Sequence, residues 1–179
     1  EEYLILTPAK YYAQVLRLAE YRSQQYNVSV QITTGLTTNQ IKEIINLYYN
    51  SIQLSSVVLI GNANDLPTYQ MLDYSNRTFY SDNNYTDFNN DGYPDVPLGR
   101  LICYSANSLN SIIDKIISFE SSNYFAIKKA MLIAGSEAIP PTAWKTATRF
   151  EEDVVPYYTD YELTKIYCNS QYYTGNGST

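Results

Sequence analysis

The chain has 179 residues, 45% of them hydrophobic, enough for one globular domain or for one domain and part of another. A net charge of −6 without any Lys/Arg run argues against a nucleic-acid surface, which selects basic faces. No apolar stretch approaches the roughly 20 residues needed to span a bilayer, and the sequence contains no histidine.

Tyr3–Leu6 is a short apolar run that reads as a buried strand, stopped at Thr7-Pro8 where proline removes a donor. Ala9–Tyr26 carries Tyr12, Val15, Leu16 and Ala19 at helical spacing, with Arg17, Glu20, Arg22 and Gln24 on the other side. Val28–Ile32 alternates as a strand. Thr37 or Thr38 offers an N-cap for a helix over Ile41–Ile52, whose apolar face is Ile41, Ile44, Ile45, Tyr48 and Ile52. Val57–Ile60 is an uninterrupted apolar strand ended by Gly61-Asn62. Short apolar strands alternating with longer helices imply a parallel sheet covered on both faces.

Asn62–Tyr80 reads as a loop with a small strand at Thr78–Tyr80. Val96–Cys103 is apolar again, and Ser105 or Asn107 caps a helix over Leu109–Phe119. Ser121-Ser122-Asn123 is the one plausible linker. Beyond it the pattern restarts: a strand over Lys128–Ala134, a rigid turn at Pro140-Pro141, a helix over Thr142–Tyr157 and a last strand over Leu163–Cys168. Two divisions follow, 1–123 and 124–179. The fold class is α/β, a three-layer sandwich with a mostly parallel sheet.

The stretch Ser81–Arg100 is the most informative. Asp87, Asn89, Asp91 and Asp95 place oxygen-bearing side chains at relative positions 1, 3, 5 and 9, with Gly92 at 6 and the Tyr93 carbonyl at 7. A hard cation such as calcium takes six to eight oxygens from such a loop, and the glycine permits its sharp turn. Position 12 is Leu98, so no bidentate glutamate closes the shell. Water or a distant carboxylate must do so, with Asp82 and Asp73 as candidates. The metal would be structural. The competing reading is a solvated turn, since Asn and Asp also bend chains without metal.

The two cysteines, Cys103 and Cys168, each end an apolar run and read as small buried thiols; their spacing in sequence does not establish a disulfide. Gly61-Asn62-Ala63-Asn64-Asp65 and Gly135-Ser136-Glu137 follow buried strands, where ligands bind in parallel sheets, but neither has a phosphate-loop pattern. Glu151-Glu152-Asp153 reads as a solvated helix face. The start at Glu1-Glu2 reads as a mature or excised form. High Tyr, Asn and Ser content, an acidic balance and Asn-x-Ser/Thr sequons at Asn27, Asn76, Asn84 and Asn176 point to an extracellular or cell-surface protein.

Several stretches together resemble the gingipain-type cysteine peptidases of the caspase-like clan. They are Tyr3-Leu-Ile-Leu-Thr-Pro8, Val57-Val-Leu-Ile-Gly61 with Asn62-Ala-Asn-Asp-Leu-Pro67, Ser81-Asp82-x-x-Tyr85, and Asp91-Gly-Tyr-Pro-Asp95-Val-x-Leu-Gly-Arg100. Ile112-Ile-Asp-Lys-Ile-Ile117 and Lys128–Gly135 before a Trp-bearing helix extend the match. The resemblance implies a two-part α/β catalytic domain with bound calcium, of which this chain holds the first part and an incomplete second. It also implies a protein or peptide substrate, the remainder of the catalytic domain as partner, and secretion. In that family a Cys thiolate attacks the peptide carbonyl and a His in a Gly-His-Gly-Ser stretch handles protons. Here Gly175-Asn176-Gly177-Ser178 holds Asn where the family has His, and an amide cannot act as base at neutral pH. Asn176 therefore either replaces that histidine or is a plain loop residue. No catalytic residue is assigned, and the chain alone is expected to be inactive. The alternative is a non-catalytic, calcium-stabilised extracellular binding module.

Overall fold

The computed structural model describes residues 1–73, 75–122, 129–134 and 162–167. The expected helix over 142–157, the Gly135-Ser136-Glu137 turn, Cys168 and Asn176 lie outside the described residues. Two compact units are present, Glu1–Ser118 and Phe119–Thr179.

In the first unit, strands β1 (Glu2–Thr7), β2 (Asn27–Ile32), β3 (Leu54–Ile60) and β6 (Leu98–Leu101) form one sheet in the order β2-β1-β3-β6. Every pairing is parallel. Alternate residues of the central strands feed two cores. Leu4, Leu6, Val57 and Leu59 pack with Ile41 and Ile45 of helix α2 (Thr38–Ser51). Ile5, Val58 and Ile60 pack on the opposite face with Val15 and Leu18 of helix α1 (Tyr12–Arg22) and Leu109 and Ile113 of helix α3 (Ala106–Ser121). The result is the expected three-layer α/β arrangement, because a two-residue strand period meets helical stripes on both faces.

Local chemistry sets the helix ends. Thr37 caps α2 in a reciprocal box: its hydroxyl accepts from Gln40 N–H at 3.3 Å, and the Gln40 side chain accepts from Thr37 N–H at 2.9 Å. Ser105 caps α3, its Oγ accepting from Ser108 N–H at 3.1 Å. At α1 the expected face is corrected. A 3-10 turn over Ala9–Tyr11 precedes the helix and changes its phase, so Tyr11, Val15 and Leu18 are buried while Tyr12 and Leu16 are exposed. The helix also stops at Arg22, four residues before Tyr26.

The segment read as mostly loop contains a hairpin, β4 (Tyr69–Leu72) antiparallel to β5 (Thr78–Ser81). Its turn is built by Asp73, whose Oδ1 accepts from Ser75 N–H at 2.8 Å and Arg77 N–H at 2.9 Å, with Asn76 at a φ of 57°. In the second unit, β7 (Lys129–Ala134) and β8 (Glu162–Tyr167) pair in parallel.

Candidate functional site

The acidic stretch connects β5 to β6. It opens with a 3-10 turn at Asn83–Tyr85, which drives the Tyr85 ring into the core against Tyr69 at 5.0 Å. The Tyr85 hydroxyl donates to the Pro67 carbonyl at 2.5 Å, and burial pushes the phenol well above its ordinary pKa. Thr86 and Asp87 follow as buried polar residues.

Asp87 to Asp95 then form a closed loop, pinned at its base by Asp95 N–H donating to Thr86 O at 2.8 Å. Its carboxylates face inward to the backbone. Asp87 accepts from Asp91 N–H at 3.1 Å and from Gly92 N–H at 3.0 Å, one oxygen to each. Asn89 Oδ1 accepts from Asp91 N–H at 3.0 Å, Asp91 Oδ1 from Tyr93 N–H at 2.8 Å, and Asp95 Oδ2 from Phe88 N–H at 2.7 Å. Gly92 takes a φ of 89°, which a side chain would strain. Helix α2 holds the outside of the loop: Lys42 Nζ donates to Asp87 O at 2.6 Å, and Tyr49 stacks on Phe88 at 4.7 Å.

All five residues proposed as metal ligands therefore share one loop. What the loop leaves free is narrower. Asp91 Oδ2 and Asp95 Oδ1 converge on the Asn89 amide nitrogen, at 3.1 and 3.4 Å. The N–H donors of a neutral amide stand where the two carboxylates point. Turning that amide would aim Asn89 Oδ1 at the same place, at the cost of its bond to Asp91 N–H. The donor set is hard oxygen throughout, and from Asp87 to Asp95 the loop has three carboxylates and no Lys or Arg, so the residues suit calcium chemically. As arranged, no group of three His, Cys, Asp or Glu side chains among the described residues is poised around a metal position. Tyr93 is 75% exposed.

The two distant carboxylates expected to complete a metal shell are engaged elsewhere. Asp73 is held by its hairpin: Arg77 N–H and then the Arg77 side chain, with Ser75 N–H, keep its carboxyl below the usual range against some desolvation. Asp82 is clamped by Arg100, with Nε to Oδ2 and Nη2 to Oδ1 both at 2.7 Å. The remaining Arg100 N–H groups reach the carbonyls of Gly61 at 3.2 Å, Leu66 at 2.9 Å and Pro67 at 3.3 Å. One nearly buried guanidinium thus ties β6, the turn before the acidic loop and the loop after β3 together.

At the carboxyl end of the sheet, Lys10 Nζ meets Asp65 Oδ1 at 2.5 Å and the Tyr11 hydroxyl reaches Asp65 Oδ2 at 3.3 Å. Gly61 is required here: at a φ of 110°, an added Cβ would come within 2.8 Å of Asp65 Cβ. Cys103 is a free, fully buried thiol whose pKa is pushed up by burial first of all. That is the reverse of an activated nucleophile, which needs a stabilised thiolate and access. Sequence reasoning missed both the Arg100 clamp and the Lys10–Asp65 pair. Their partners lie 18 and 55 residues apart, beyond any local pattern.

The sequence matches the family described as Peptidase family C25 over residues 1–179. It is 25% identical over 174 residues to gingipain R2 of Porphyromonas gingivalis (strain ATCC BAA-308 / W83), an alignment that covers 91% of this chain and 23% of that protein. A solved structure described as "Structure of Protease" superposes with a TM-score of 0.76 at 20% identity, over 98% of this chain and 41% of that one. At that identity the likeness speaks for fold alone.

Proposed function

The chain belongs to Peptidase family C25, and we propose that it forms the amino-terminal part of the catalytic domain of a secreted cysteine endopeptidase that acts on protein or peptide substrates. The observation that carries this reading is the family match along the whole chain, set beside a relative of which the chain spans 23%. In this reading the first unit is a platform, not a catalyst. The sequence has no histidine to serve as base, and Cys103 is inaccessible with a raised pKa. The remainder of the catalytic domain supplies thiol and imidazole. No helix among the described residues is long and apolar enough to cross a membrane.

Calcium at Asp87–Asp95 belongs to the same proposal. Asp87, Asn89, Asp91 and Asp95 would hold it, with the Tyr93 carbonyl. A bound divalent cation supplies charge neutralisation for three carboxylates. The chain's own residues do the rest: Asp87 organises the backbone of the turn, Lys42 and Tyr49 fix the loop to α2, and Arg100 fixes its approach to the sheet.

The test reads the gene beyond the codon for Thr179 and assays both lengths. The expected result is a downstream Gly-His-Gly and Cys, with cleavage of an unstructured protein substrate by the longer protein only, blocked by a thiol alkylator. A stop codon or a surface-anchor segment at that point, or cleavage by the 179-residue chain lost in Cys103→Ala, would overturn the reading. The first of those outcomes would favour the non-catalytic binding module.

A further inference from the structure

Three Asn-x-Ser/Thr sequons, at Asn27, Asn76 and Asn84, fall among the described residues, and the fold presents them very differently. Attachment of a glycan to such a motif needs two groups within reach of an enzyme. One is the asparagine amide nitrogen, which becomes the attachment point; the other is the hydroxyl two residues on, by which the acceptor is recognised.

At Asn84 the hydroxyl is out of reach. Asn84 sits half-buried in the 3-10 turn over Asn83–Tyr85, and Tyr85 and Thr86 after it are both fully buried. Presenting this motif would pull the Tyr85 ring from the core, away from Tyr69 and from its bond to Pro67 O. At Asn27 the asparagine is exposed, but the motif is the first half of strand β2. Its three residues pair with Glu2, Tyr3 and Leu4 of β1, and the half-buried Ser29 hydroxyl donates to the Glu2 carboxylate.

The motif at Asn76 is the reverse case. Asn76, Arg77 and Thr78 are all exposed at the tip of the β4–β5 hairpin. The turn holds itself without the core. Asp73 Oδ1 accepts from Ser75 and Arg77 N–H, Asn76 N–H donates to Asp73 O at 2.9 Å, and Asp73 N–H donates to Arg77 O at 2.9 Å. Asn76 has a φ of 57°, a left-handed conformation that asparagine tolerates. Its side-chain amide and the Thr78 hydroxyl make no hydrogen bond among the described residues. The hairpin also exposes apolar surface: Leu72 and Tyr80, diagonal neighbours on one face, are 63% and 69% exposed. A bulky, solubilising group at the tip would shield it.

We propose that Asn76 carries an N-linked glycan and is the acceptor that the folded first unit presents. Asn76 Nδ2 attacks the anomeric carbon of an oligosaccharide carried on a lipid pyrophosphate. The bond from that carbon to the phosphate oxygen breaks, the lipid pyrophosphate leaves with the bonding pair, and Nδ2 gives one proton to the transferase. The proposal rests on the secreted reading above, because this transfer takes place beyond the cytoplasm, and it is independent of the calcium and catalytic readings.

The test has two arms. Peptides of the protein recovered from the cells that make it are mapped by mass spectrometry, and Asn76 should carry an oligosaccharide. An unmodified Asn76 overturns the proposal: in protein found outside the cells it does so alone, and in protein retained inside them the secreted reading falls with it. In the second arm, an oligosaccharyltransferase that requires only Asn-x-Ser/Thr is given a lipid-pyrophosphate-linked oligosaccharide and the folded 179-residue chain. Synthetic peptides of residues 24–30, 73–79 and 81–87 serve as the unfolded reference for each site. Relative to its own peptide, Asn76 should be modified at least about tenfold faster than Asn27 or Asn84, where local opening must come first. Thr78→Val should abolish transfer to Asn76 and Thr78→Ser should retain it, both at an exposed position that leaves the core intact. Equal relative rates at the three sites, or transfer to Asn76 that persists in Thr78→Val, overturn the proposal.

Discussion

Replacing Arg100 by Met keeps an unbranched stem in place and removes the guanidinium. Five hydrogen bonds go with it: two to Asp82 at 2.7 Å and three to the carbonyls of Gly61, Leu66 and Pro67. The side chains are 9% and 20% exposed, so neither partner is solvated as it would be on a surface. Removing one member of a buried pair costs about 3–5 kcal/mol, largely through the charge left behind. Partial exposure of Asp82 lowers that figure, and Pro67 O keeps the Tyr85 hydroxyl as a second donor, so the bonds do not simply add. We expect a loss of roughly 3–4 kcal/mol, which at about 3 °C per kcal/mol for a chain of this length is a fall in Tm of roughly 10 °C. Arg100→Lys keeps the charge but not the two-pronged geometry and should lose about half as much. Circular dichroism melts and urea curves measure both. A double-mutant cycle with Asp82→Asn should show a coupling of about 2 kcal/mol. A drop below about 2 °C for Arg100→Met, or additive single mutants, would refute the clamp.

Three other outcomes are expected. For the proposed calcium loop, ion present at 100 times its dissociation constant adds about 2.7 kcal/mol, so a chelator should lower Tm by roughly 8 °C and Asp91→Asn should blunt that response; a melt indifferent to chelator refutes the metal. Tyr11, Tyr69 and Tyr85 all have pKa values raised chiefly by burial. Each favours the neutral phenol in the fold, so its contribution is complete below the unfolded value near pH 10 and is lost as pH climbs toward the higher folded value. Stability to urea should therefore fall as pH rises from about 10 to about 12, less steeply in Tyr85→Phe, which should already be about 1 kcal/mol weaker at neutral pH; a flat alkaline profile contradicts this. Thr37→Ala dismantles the reciprocal cap of α2 and should cost about 1 kcal/mol, with no change in the melt as the refuting result.

The acidic loop shows where reading the sequence succeeded and where it stopped. Asp87, Asn89, Asp91, Gly92 and Asp95 stood out because their spacing is local, and the turn they form is local too. Each carboxylate finds a backbone N–H within seven residues, the longest reach being Asp95 to Phe88. Asp82 and Asp73 were offered as additional ligands because nothing nearby in sequence reveals that Arg100 and Arg77 hold them. On helix α1 the expected Val15 and Ala19 do face the core, but Tyr11 and Leu18 are buried where Tyr12 and Leu16 were expected, because Tyr11 and Tyr12 are adjacent and equally apolar. The hairpin strand Tyr69–Leu72 was missed because four residues ending in adjacent apolar Met71 and Leu72 show no clear period in sequence, and its antiparallel partner is what makes it a strand.

Composition and periodicity by themselves determined the acidic charge, the absence of histidine, the alternation of strands and helices, the cap at Thr37 and the bend at Gly92. All of these depend on groups within a turn or two of one another, where chain connectivity already brings them close. Only the tertiary structure decided that β1 and β3 lie at the centre in the order β2-β1-β3-β6. That order carries the carboxyl end of β6 to the loop after β3, so that Arg100 reaches Gly61, Leu66 and Asp82. Contacts between distant residues are set by which strands pair, and pairing is a property of the whole buried core.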